Sequence, residues 1–81
     1  MIILTFVDLE HYGYNVHDVF VFNTYDEATA EMKKQYLDRC KCEGIKDPMA
    51  TDSMDYQFSE DSFAYINSKY YWDIFYKEVQ S

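Results

Sequence analysis

Residues 24–44 read TYDEATAEMKKQYLDRCKCEG, and this stretch decides the fold. Thr24 stands where an N-cap hydroxyl accepts from the first turn, and Glu27 three residues on completes a capping box. Asp26 and Glu27 put negative charge at the positive end of the helix dipole. Gly44 supplies the stop. At 100° per residue Tyr25, Ala28, Met32, Tyr36 and Cys40 fall on one stripe, with Glu27, Glu31, Lys34, Asp38 and Lys41 opposite. One face of this helix is built for burial.

The segments on either side read as strands. Before the helix, residues 2–8 are a short β-rich run and residues 16–22 (VHDVFVF) a second. LEHYGYN between them carries Gly13 and Asn15 and reads as a turn, so the two runs are expected to pair antiparallel. In the second run Val19 and Val21 lie on one face and Phe20 and Phe22 on the other. Two apolar faces suggest a strand inside the sheet. After Gly44, IKDPMATDS (residues 45–53) is the loop-like stretch and the expected mobile region. Met54, Tyr56 and Phe58 alternate with Asp55 and Gln57, SEDS turns, FAYI begins another strand, and Asn67 with Ser68 turns again. In the closing run YYWDIFYKEV, Tyr70, Trp72, Ile74 and Tyr76 are expected to meet the helix, leaving Tyr71, Asp73, Phe75, Lys77 and Val79 on the other side. The fold class is therefore α+β: a single domain over residues 1–81, with an antiparallel sheet of four to five strands and one helix across one face, in ββαββ(β) order.

Charge narrows the function classes. The 81 residues carry a net charge of −8, and residues 1–32 hold six acids with no Lys or Arg. Residues 33–46 reverse the sign, and the remainder sets seven acids against Lys69 and Lys77. Such a surface repels phosphate backbones, so direct nucleic-acid binding is not expected. A domain this small buries roughly 60–65% of its unfolded surface, and a deep substrate pocket would compete with that core. The opening MIILTFVDLE lacks a basic region and a small-residue cleavage site, so neither a signal peptide nor a membrane span is expected, and the localisation expected is cytoplasmic.

Reactive residues form no constellation. His11 and His17 lie near Glu10 and Asp18 but lack a further ligand pattern, so no metal site is expected. Cys40 and Cys42 point about 200° apart on a helix, which favours free thiols in a reducing compartment over a bridge. The adjacent carboxylates Glu60 with Asp61 and Asp8 with Glu10 fall in turn-like segments and read as solvated charges. With no phosphate loop, nucleophile elbow or Ser/His/Asp order, neither catalysis nor a cofactor is expected.

What remains is surface. A helix of 18 residues, roughly 27 Å long, covers one side of such a sheet. The other side is expected to include some of Phe20, Phe22, Tyr71 and Phe75, within a chain of nine Tyr, six Phe and one Trp. Rings suit interfaces, although they also fill small cores. The order of two strands, a helix opening VFNTYDEATAEM (residues 21–32) and a closing strand YYWDIFYKEV (residues 70–79), in a small acidic chain, resembles the small proteins encoded by bacteriophages and mobile elements, anti-CRISPR inhibitors among them. The resemblance spans the chain as a style, without a shared motif, and brings over no functional residue. It implies a non-enzymatic protein that binds a host protein in the host cytoplasm, sometimes by presenting carboxylates where that protein expects nucleic-acid phosphates. The expected partner is a basic protein surface, such as that of a nucleic-acid-handling complex. The acids available to meet it are Asp8, Glu10 and Asp18 near the first hairpin and Asp52, Asp55, Glu60 and Asp61 before the last strands. The alternative is a structural or regulatory module that forms a homodimer through the aromatic sheet face.

Overall fold

Alternation along the β-rich runs sorts the side chains between two faces of one sheet. The computed structural model describes residues 1–11, 13 and 15–78. Its elements are β1 (Ile2–Asp8), β2 (Val16–Phe22), α1 (Tyr25–Cys42), β3 (Tyr56–Ser59), β4 (Phe63–Ile66) and β5 (Tyr70–Tyr76). The strands form one five-stranded sheet in the order β2-β1-β5-β4-β3, with every neighbouring pair antiparallel. With α1 packed on one face, this is the expected α+β architecture.

The register explains the core. Leu4 pairs with Ile74 and Phe6 with Trp72 across β1 and β5, while Ala64 faces Trp72 from β4. These side chains share the face that α1 covers, where Ala28, Met32, Tyr36 and Cys40 are fully buried against them. Trp72 sits at the centre. Its Nε1 donates to Gln35 Oε1 at 2.9 Å, and its ring meets Tyr36 edge-on at 6.0 Å and Phe6 at 5.1 Å. Each such large side chain, once fully buried, contributes about 1.5–3 kcal/mol.

Both helix ends are fixed locally. Thr24 is extended at the N-cap, and its Oγ1 accepts from the Glu27 N–H at 3.2 Å. The box closes differently from expectation, because the Thr24 hydroxyl donates to Glu27 Oε1 at 3.1 Å. At the far end Gly44 adopts φ 74°. That conformation lets the Ile45 N–H reach the Cys40 carbonyl at 2.9 Å and the Gly44 N–H reach that of Lys41 at 3.3 Å, a Schellman stop.

Several placements differ from the expectation. β2 is an edge strand, because β5 and not β2 takes the second side of β1. Phe20 and Phe22 lie on the helix side and pack against the core, so neither belongs to the uncovered face. Tyr25 is 39% exposed, since the first residue of α1 has not yet reached the sheet, and Tyr76 is exposed at the end of β5. Met54 precedes β3 and is 92% exposed, where an alternating strand was expected. Val79 lies outside the described residues. The stretch 45–53, expected to be mobile, is tied back at Pro48, whose carbonyl accepts from Tyr36 Oη at 2.6 Å.

Two substitutions test this packing. Thr24→Ala should cost about 1 kcal/mol through the lost cap. Met32→Asp should abolish folding, because the buried stripe offers the carboxylate no partner. Circular-dichroism melts of both variants read the outcome, and an unchanged melt for Met32→Asp would contradict the stripe.

Candidate interaction surface

Three features lie outside the core: an open sheet face, a scatter of carboxylates, and a free edge beside a cleft.

The open face is the side of the sheet opposite α1. It carries Val16, Val19 and Val21 from β2, Ile3, Thr5 and Val7 from β1, and Tyr71, Asp73 and Phe75 from β5, followed by Phe63 and Tyr65 from β4. Tyr71 and Phe75 are thus on the uncovered side, as expected, and both are exposed. Phe63 and Tyr65, missed in the sequence, lie with Tyr71 in near-parallel rings 6.2–6.5 Å apart. Sequence alternation puts them on this face once the partner of β4 is known. From strand spacings and lengths the face covers roughly 450 Å².

One acid interrupts it. Asp73 is flanked on neighbouring strands by Thr5 and Phe63. Burial pushes its carboxyl pKa up, outweighing the opposite pull of the adjacent Ile74 N–H. A charge set into an apolar face opposes the stacking of a second sheet upon it.

The expected acids do not gather. Asp8 is 4% exposed and acts inside the β1–β2 turn, accepting from the Glu10 N–H at 3.1 Å and the His11 N–H at 3.0 Å, with His11 Nδ1 at 2.9 Å from its second oxygen. Burial alone would raise its pKa, but the hydrogen bonds from His11 and Glu10 and the charge of His11 hold it below the usual value. It is a turn residue and not a solvated charge. Asp61 is also engaged, accepting from the Thr29 hydroxyl while its own N–H donates to Thr29 Oγ1. Glu10, Asp18, Asp52, Asp55 and Glu60 are exposed. Sheet order separates them, however. Asp18 lies on β2 at one edge, while Asp55, Glu60 and Asp61 flank β3 at the other, four strand spacings or roughly 19 Å away. Asp18 therefore shares no patch with the acids that flank β3.

A different acidic site does form. A cleft of about 410 Å³ opens between β2 and α1, lined by Phe6, Asp18, Phe20, Gln35, Asp38, Arg39 and Cys42. The helical members recur every three or four residues and so face β2 together. Glu31 adjoins them through Gln35, whose Nε2 donates to its carboxylate at 2.9 Å. The one cation of the cleft, Arg39, lies over the rings of Tyr70 and Phe6 at 4.7 and 5.4 Å. By sequence Asp38 falls on the polar face of the helix, and that it lines one cleft with Asp18 depends on how α1 crosses the sheet. A larger hollow of about 710 Å³ opens at the end of the sheet near Tyr65, Lys69 and Tyr71.

The reactive residues stay apart. Cys40 is buried, which pushes its thiol pKa up, and Cys42 is exposed, both as free thiols. Among the described residues no group of three or more His, Cys, Asp or Glu could hold a metal ion, and no helix is long and apolar enough to cross a membrane.

Asp73 gives a pH test of the open face. Its folded pKa lies above the unfolded value near 3.9, so its contribution to stability is full below that value and is lost as pH rises through the folded pKa. Asp73→Asn should therefore raise the melting temperature at pH 7, with the gain vanishing near pH 3; an equal gain at both pH values would contradict desolvation as its cause. No protein-family model matches this chain, and no curated protein or solved structure matches it either.

Proposed function

We propose that this chain is a non-enzymatic binding protein that docks on a basic protein surface, of the kind a nucleic-acid-handling complex presents, and occupies it as an anti-CRISPR-type inhibitor would. The observation that carries this reading is the imbalance of its charges. The sequence holds fifteen carboxylates and seven Lys or Arg, and among the described residues Lys69 with Glu43, at 3.3 Å, is the one bridge between a lysine or arginine and a carboxylate. The acidity is therefore not spent on internal pairing. It projects a field that speeds encounter with a cationic surface and repels nucleic acid itself. Residues 1–32, which lack any Lys or Arg, supply β1, β2 and the first turns of α1, while the cleft that holds Asp18 takes its helix wall, with Asp38 and Arg39, from the later turns.

Self-association through the open face is the second reading, supported by the exposure of Val19 and Val21 beside Tyr71 and Phe75. It ranks lower on charge, because stacking two copies through this face would bury the Asp73 carboxylate of each within an apolar contact.

Capture from a bacterial lysate, followed by titration of the captured protein, tests the first reading. Its affinity should fall at least about tenfold between 50 and 500 mM salt. Asp18→Lys with Asp38→Lys should slow association more than Glu60→Lys with Asp61→Lys. Binding that ignores salt and both reversals would contradict the charge reading, and a dimer persisting at high salt in sedimentation would favour the second.

A further inference from the structure

We infer that the free edge of β2 receives an extended segment of the partner as a sixth strand, with basic side chains directed to the cleft against α1 and apolar ones to the open face. The inference rests on the basic-partner reading and adds how and where that partner is held.

An edge strand leaves every second N–H and C=O without a ladder partner, and proteins usually protect such edges with short strands, Lys, Pro or covering elements. The other edge of this sheet is β3, with four residues. β2 has seven, with neither Lys nor Pro, and Val19 and Val21 at its centre are 59% and 56% exposed. Its single irregularity lies near His17, where the register shifts between Phe6 and Val7. From Asp18 to Phe22 the pairing with β1 is regular, so five consecutive residues present a straight edge. Backbone pairing to such an edge supplies affinity, and alternate side chains supply specificity.

The two sides of that edge ask for different side chains. Toward the open face the neighbours are Val19 and Val21, which suit apolar residues. Toward α1 an added strand projects its other side chains at the cleft, where the rings of Phe6 and Phe20 can line the stem of an Arg or Lys and the carboxylates of Asp18 and Asp38 can meet its head. Arg39 is the opposing charge there, and it is stacked on Tyr70 and Phe6. A second copy is the poorer occupant. Pairing β2 with β2 about Val19 would bring two copies of Asp18 and two chains of charge −8 to one edge.

The test uses synthetic peptides and the full chain, read by amide hydrogen exchange. The probes are an eight-residue peptide alternating Arg and Val, its Glu and Val counterpart, and two Arg–Val peptides N-methylated on one or the other alternating set of residues. The Arg–Val peptide should slow exchange in residues 18–22 by about tenfold or more, and the Glu–Val peptide should not. One N-methylated peptide should lose binding and the other keep it, because only one set of N–H groups faces β2. Asp18→Asn with Asp38→Asn, which leaves the backbone edge intact, should weaken the Arg–Val peptide by about tenfold. Protection elsewhere, or equal binding of both methylated peptides, would overturn the edge while leaving the basic-partner reading in place. Equal binding of the Glu–Val peptide would overturn both, as would failure of the Arg–Val peptide to bind. Protection of residues 18–22 that rises with protein concentration alone would assign the edge to a second copy and overturn the inference.

Discussion

One helix has to cover five strands, and the rest of the structure follows from that mismatch. A helix about 10 Å across lies over roughly two strands spaced about 4.8 Å apart. The buried stripe of α1 packs in one core with Leu4 and Phe6 of β1, Trp72 of β5, and Ala64 and Ile66 of β4. Its hydrogen bonds reinforce the same placement, since Gln35 holds the Trp72 indole and Tyr36 holds Pro48. The outer strands are covered in part: Phe58 of β3 meets Tyr36 at 5.5 Å, Tyr56 packs beside it, and Phe20 and Phe22 pack from β2.

The surface available for recognition is the remainder of that arrangement. The face opposite α1 has no second layer among the described elements, and Asp73 keeps it from being uniformly apolar. β2 is covered on one side only by the flank of α1, and the cleft between them is lined by both Asp18 and Asp38. The same shortage of helix that exposes Val19 and Val21 thus places carboxylates beside an unpaired backbone edge. Stability and recognition are divided by position: the β1–β5 pair serves the first, and β2 offers the second.

Much of the fold was legible because its signals are local. The capping residues around Thr24, the left-handed stop at Gly44 and the period of Ala28, Met32, Tyr36 and Cys40 each depend on neighbours within one or two turns. Strand order was not legible. In β2 both faces are apolar, which in an interior strand means two covered sides; here Phe20 and Phe22 use the core while Val19 and Val21 remain exposed, and alternation alone does not separate these cases. The acids failed for a related reason. Asp8 and Asp61 looked like solvated turn charges, but the backbone of the Asp8 turn and the side chain of Thr29 engage them. Helix placement puts Asp38 and Asp18 on the same cleft, and that leaves no trace in spacing.

Native-state hydrogen exchange on the isolated chain at low concentration tests the one-helix, open-edge architecture most directly. Amides of α1, β1 and β5 should exchange slowest, and in β2 slow and fast amides should alternate, the slow ones donating to β1 and the fast ones facing outward. Uniformly slow exchange along β2, matching that of β1, would mean that the strand is covered on both edges and would contradict the account.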